Sequence, residues 1–194
     1  MGKHAEINKN KKSSTFTASF MKKLKLEELG RVSVAEFKSA KKIPVCLLLD
    51  NVRSLHNVGS AFRTADAFSI EKVLLTGITG TPPHREIEKT ALGATTSVAW
   101  AYNESAADAA AALKSEGWKI VVVEQTNESI PLQTFAAAYD EKICLVFGNE
   151  VNGVSDDVIE LADVAVEIPQ SGTKHSLNIS VCVGIVVWEI YRKI

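Results

Sequence analysis

Cysteine is scarce: Cys46, Cys144 and Cys182 are the only three in 194 residues, far apart and each inside an apolar run. That spacing matches neither a disulfide framework nor a metal-ligand pattern, so all three read as small buried hydrophobes. Long hydrophobic runs are missing too. The longest, Ile179 to Trp188 with Ser180 inside it, is about half of the roughly 20 residues a membrane-spanning helix needs, so no span is expected. The polar, lysine-rich N-terminus has no apolar h-region, which argues against a secretory signal and for a cytoplasmic protein. Two nucleotide-binding signatures are absent: no Gly-Lys-Ser/Thr closes a Walker loop, and no Gly-x-Gly-x-x-Gly follows a strand-like run. There is no internal repeat, and no low-complexity tract beyond Ala109 to Ala112.

What is present suffices for a sizeable core, since 46% of positions are hydrophobic and 23% charged, the balance of an ordinary globular chain. The net charge of −1 hides an asymmetry: residues 1–42 carry 11 Lys and Arg against 4 Asp and Glu, the remainder 11 against 19. We therefore divide the chain into a basic extension, 1–42, and a main domain, 43–194. A basic arm serves nucleic-acid phosphates or simply solubility, and charge alone does not choose. Met1 to about Ser14 has too little apolar surface to order itself. A basic helix is expected from Thr17 to Leu29, stopped by Gly30, and a short one from Ser33, where Ser33 and Glu36 stand at capping-box spacing.

After Pro44 the pattern becomes βα alternation. Strand-like runs fall at Val45 to Leu49, Lys72 to Thr76, Ser97 to Ala101, Lys119 to Glu124, Lys142 to Phe147 and Val164 to Ile168. They lack strict polar alternation, which predicts strands covered on both faces. Ser105 with Asp108 opens a helix that Gly117 ends, and Ser155 with Asp156 and Asp157 opens another. The expected fold is α/β, a mainly parallel six-stranded sheet with helices on both faces.

Three polar constellations interrupt this frame. Asp50 to Phe68 runs from a strand end through a loop into a helix with an apolar stripe, Val58, Ala61, Phe62, Ala65 and Phe68. The stripe does not explain Asn57, Arg63 or Gly59. Glycine in a helix costs about 1 kcal/mol relative to alanine, so Gly59 signals a close approach to the backbone. Arg63 reads as a ligand-directed cation or a snorkelling surface residue. Phe147-Gly148-Asn149-Glu150-Val151-Asn152-Gly153 is a second strand-to-loop transition, with tight turns and an acceptor at Glu150. The third is Ile168-Pro169 through Lys174-His175-Ser176-Leu177-Asn178, longer than the two to six residues of an ordinary connector. Ser176 suits the N-cap of the last helix, which puts Asn178 in its first turn.

Taken in order, these three motifs resemble the SpoU/TrmH family of RNA ribose 2′-O-methyltransferases, within the SPOUT superfamily, from about Pro44 to the C-terminus. The resemblance implies S-adenosylmethionine as cofactor, held by Thr76, Gly148, Ile168, Ser176 and Leu177, and no metal. It implies a catalytic set of Arg63, Asn57, Glu150, Ser176 and Asn178. It further implies a deep C-terminal trefoil knot, a homodimer through the last helix, and RNA as partner, with tRNA favoured over rRNA by the stretch Gly117 to Thr126. The competing readings are a non-catalytic RNA-binding knotted domain and an unrelated nucleotide-binding α/β protein.

Overall fold

The computed structural model describes residues 21–174 and 176–194. The tail Met1 to Ser14, the start of the first expected helix and His175 lie outside the described residues. The chain divides into two units, one ending at Arg31 and one running from Val32 to Ile194. In the described part of the first, the expected helix is only a 3-10 turn, Leu26–Leu29. The Glu28 carboxylate accepts from Lys25 N at 2.6 Å and closes that turn, and Gly30 ends it in the left-handed conformation.

In the second unit, α1 (Val34–Ser39) starts as its sequence predicts. Ser33 Oγ accepts from Glu36 N and the Glu36 carboxylate accepts from Ser33 N. Beyond it come β1 (Ile43–Asp50), α2 (Leu55–Ala67), β2 (Ile70–Thr76), α3 (Arg85–Ala91), α4 (Ala94–Ser97), β3 (Ala99–Asn103) and α5 (Ala106–Ser115). They are followed by β4 (Lys119–Val123), β5 (Ile130–Pro131), β6 (Ile143–Phe147), α6 (Asp156–Leu161), β7 (Val164–Glu167) and α7 (Ile179–Tyr191). The sheet order is β3-β2-β1-β6-β4-β7-β5, and every pair is parallel. The sheet therefore has seven strands, not six. The additional one, β5, is two residues long and contains a proline, which confines it to an edge.

Strand alternation divides the core in two. Val45, Leu47 and Leu49 of β1 and Ile143, Leu145 and Phe147 of β6 face α2 and α7. Cys46, Leu48, Cys144 and Val146 face α5 and α6. Cys46 and Cys144 are buried, whereas Cys182 is half-buried. The α2 stripe behaves as read, with Val58, Ala61, Phe62 and Ala65 at most 1% exposed. Burying Phe62 alone stabilises the fold by about 1.5–3 kcal/mol. One strand departs from the both-faces-covered expectation: all five residues of β3 are exposed, because it forms the other edge. It also starts two residues late, since Ser97 belongs to α4, where its hydroxyl donates to Ala94 O and to the Asp66 carboxylate.

Candidate active site

Parallel sheets collect ligand-facing groups at the carboxyl ends of their strands, where strand order reverses. Here β1, β6, β4 and β7 are neighbours, although the chain makes them first, sixth, fourth and seventh. The exit loops of β4, β6 and β7 surround a cleft of about 530 Å³, within the several hundred Å³ usual for a small-molecule site. Val123, Phe147, Val166 and Ile179 give it an apolar floor, and Gly148, Glu150, Ile168, Ser176, Leu177 and Asn178 lie on its wall.

The loop after β6 is a tight hairpin. Asn149 N donates to Gly153 O at 2.8 Å and Gly153 N to Asn149 O at 2.9 Å. Asn149 Oδ1 accepts from Val151 N and Asn152 N, and its Nδ2 donates to Asn51 O at 2.7 Å, tying this loop to the exit of β1. The glycines are steric requirements. A Cβ on Gly148 would lie 2.1 Å from Gly153 C and Val154 N. Gly153 has φ +72°, and a Cβ there would meet Glu124 Oε2 at 2.2 Å.

Glu150 joins the first motif to the second. Its carboxylate accepts from Arg53 N (3.2 Å), Ser54 N (3.3 Å) and Asn57 Nδ2 (3.1 Å), capping the positive end of α2. Partial burial pushes its pKa up, but its own N–H and those of Arg53, Asn57 and Ser54 outweigh this and leave the carboxyl below its ordinary value. Behind it, the buried Asp50 carboxylate accepts from Ser155 N (2.8 Å), Ser155 Oγ (2.7 Å) and Asn51 Nδ2 (2.8 Å). Ser155 thus starts α6 without a side-chain cap, its hydroxyl being used on Asp50.

Not all the expected residues gather here. Arg63 is exposed and lines a second depression with Ser60, Thr64, Phe68, Lys89 and Thr90. Among the described residues nothing pairs with its guanidinium. Lys89 donates to the Glu86 carboxylate at 2.7 Å, which also meets His56 Nε2 at 2.8 Å. Thr76 is buried, donates to Leu49 O at 3.1 Å and does not line the cleft. Two further outcomes concern helices, the first a correction and the second an expectation met. Asn178, not Ser176, is the N-cap of α7, its Oδ1 accepting from Ser180 N (2.9 Å) and Ser180 Oγ (2.6 Å). The close approach signalled by Gly59 is made by α3: a Cβ there would lie 2.2 Å from Ile87 O and 2.1 Å from Thr90 Oγ1.

The cleft's charge tests which cofactor it suits. Among the described residues Glu124, Glu150 and Glu167 line it and no Lys or Arg does. Cys182 adds no anion, because burial, then the charge of Glu124, raises its thiol pKa. This lining repels a nucleotide phosphate and fits a cationic sulfonium. Among the described residues no cluster of His, Cys, Asp and Glu could hold a metal ion.

The profile of the SpoU rRNA Methylase family matches residues 44–188. The chain belongs to this family. An uncharacterised tRNA/rRNA methyltransferase of Borreliella burgdorferi is 31% identical over 183 residues, 90% of this chain and 79% of the relative. The tRNA (guanosine(18)-2′-O)-methyltransferase of Aquifex aeolicus is 32% identical over 74% of this chain and 67% of its own length. The crystal structure of the A. aeolicus TrmH/SpoU tRNA modifying enzyme superposes with a TM-score of 0.74 at 28% identity, covering 82% of this chain and 80% of that one. An AdoMet-bound rRNA methyltransferase from Sinorhizobium meliloti gives 0.72 at 25% identity, with 80% of this chain and 59% of that chain covered. The chain is accordingly an S-adenosylmethionine-dependent RNA methyltransferase of the SpoU class. Sequence reasoning missed Glu124 in the cleft. Its signal is a carboxylate directly after an apolar strand run.

Proposed function

We propose that this methyltransferase modifies a ribose 2′-hydroxyl, with tRNA favoured over rRNA as substrate. The observation that carries the reading is the anionic cleft formed where the Gly148–Gly153 hairpin meets the Ile168–Asn178 turn. Main-chain groups of Gly148, Ile168 and Leu177, with Ser176 beside them, hold the cofactor. When bound, S-adenosylmethionine supplies an electrophilic methyl carbon. Glu150 fixes Asn57, and Ser176 and Asn178 complete the polar wall that orients the ribose. Arg63 grips the adjacent phosphate with its guanidinium, which stays protonated far above neutral pH and so orients rather than accepts a proton. Positioning of this kind lowers a barrier by about 7–11 kcal/mol in the best cases.

The finer architecture follows the same reading. The C-terminal segment forms a trefoil knot around the cleft. The copy-to-copy surface is the α7 face bearing Val181, Ile185, Trp188 and Tyr191, each 38–54% exposed, a contiguous apolar stripe of the kind that marks an interface. Trp188 and Tyr191 stack on each other and pack at a tilt against Phe68, which also lines the Arg63 depression. The basic extension is an RNA-contacting arm, supported by exposed Lys22, Lys23 and Lys25. A cytoplasmic location agrees with RNA modification.

Methyl transfer to total RNA followed by nucleoside analysis tests the reaction. The expected product is a 2′-O-methylnucleoside, and base methylation alone overturns the proposal. Deleting residues 1–31, which leaves α1 in place, is expected to lower RNA affinity and its salt dependence, because phosphate contacts set both.

A further inference from the structure

We infer that Glu124 recognises the ribose diol of the cofactor, a contact that rests on the methyltransferase reading of the cleft. Glu124 is the first residue past β4, at the carboxyl end of a parallel strand, where ligand-facing groups collect. It lines the same cleft as Gly148, Ile168 and Leu177. Its carboxylate is fixed at both oxygens. Oε1 accepts from Gln125 N at 2.9 Å and Oε2 from Val154 N at 3.0 Å, with Gly153 leaving the space Oε2 occupies. A carboxylate oxygen carries two lone pairs, so each keeps one acceptor position. Two fixed acceptors side by side suit two vicinal hydroxyl donors, and the ribose of an adenosyl group supplies that pair. The other carboxylates of the cleft do not present such a pair: Glu150 Oε1 already accepts from both Ser54 N and Asn57 Nδ2, and Glu167 is held at Oε2 alone, by Ser129 Oγ.

The competing role for Glu124 is a brace that merely holds the hairpin through Val154 N. Calorimetric titration of the full chain separates the two, using S-adenosylhomocysteine and its 2′,3′-dideoxy analogue as probes against the parent and Glu124→Gln. A diol contact predicts a loss of roughly tenfold or more for S-adenosylhomocysteine in Glu124→Gln, the scale of a hydrogen bond to a charged group, and almost none for the dideoxy analogue. Equal losses for both probes, or none for either, overturn the contact while leaving the methyltransferase reading intact. A parent chain that binds neither S-adenosylmethionine nor S-adenosylhomocysteine removes that reading and the diol contact with it.

Discussion

Replacing Gly148 with alanine is the most direct probe of how the cleft is built. The new Cβ would lie 2.1 Å from Gly153 C and Val154 N and 2.3 Å from Gly153 O. Since carbon contacts settle near 3.5–4.0 Å, the facing backbone must retreat by more than about 1 Å. It cannot do so freely, because the Asn149–Gly153 bonds, the two donors on Asn149 Oδ1 and the Glu124–Val154 bond all hold it. Overpacking costs about 1–3 kcal/mol and one sacrificed hydrogen bond about 1 kcal/mol, so the strain totals about 2–4 kcal/mol. If the hairpin stays in place, the strain appears as lost stability. If it relaxes, its closed form must be restored on binding, and the strain appears as lost affinity, about thirtyfold at the lower end. Urea denaturation and calorimetric titration with S-adenosylmethionine together capture both shares. A Gly148→Ala protein that matches the parent in both measurements refutes this account of the loop.

Three further outcomes are expected. Gly59→Ala should lower the urea midpoint by the equivalent of about 1–3 kcal/mol, because the clash is with α3 backbone at Ile87 O; an unchanged midpoint would show that α2 and α3 can separate at no cost. Ser155→Ala removes the 2.7 Å bond to the buried Asp50 carboxylate and should destabilise by about 1.5–3 kcal/mol in the same assay. Glu150 has a folded pKa below its ordinary 4.5, so its hydrogen bonds stabilise the folded chain fully above that value and fade as pH falls through the folded one. The stability gap between the parent and Glu150→Gln should therefore be widest at neutral pH and close in acid, and a gap that persists there would contradict this assignment.

Features set by neighbours in the chain are legible before folding, whereas features set by strand order are not. The Ser33–Glu36 and Ser105–Asp108 caps form as spaced, because both partners lie within one turn. Ser176 and Asn178 are both good caps two residues apart, and propensity does not choose between them; Asn178 wins by taking both Ser180 N and Ser180 Oγ. Gly59 announces a close approach without naming the partner, since the position of α3 depends on how β2 and β3 are laid down. β5 is invisible to periodicity at two residues, one of them proline. Glu124 reads as an ordinary strand end until β6 is inserted beside β4 and brings Gly153 against it.

The two candidate sites differ in charge, and α2 sets the distance between them. Among the described residues the cleft is lined by three carboxylates and no Lys or Arg, whereas the second depression holds Arg63 and Lys89, the latter shared with Glu86. The first disfavours a phosphate and the second favours one, with the reverse order for a cation, which is the sorting that the proposed roles of the two sites require. Asn57, bonded to Glu150 at the cleft, and Arg63 share one helix at a separation of about 9 Å along its axis. That helix is anchored by Val58, Ala61, Phe62 and Ala65. Truncating Phe62 to alanine would cost about 3–5 kcal/mol and leave a void under the segment joining the two sites. The buried stripe of α2 thus does more than complete the core: its packing fixes where the Arg63 guanidinium stands relative to the cleft.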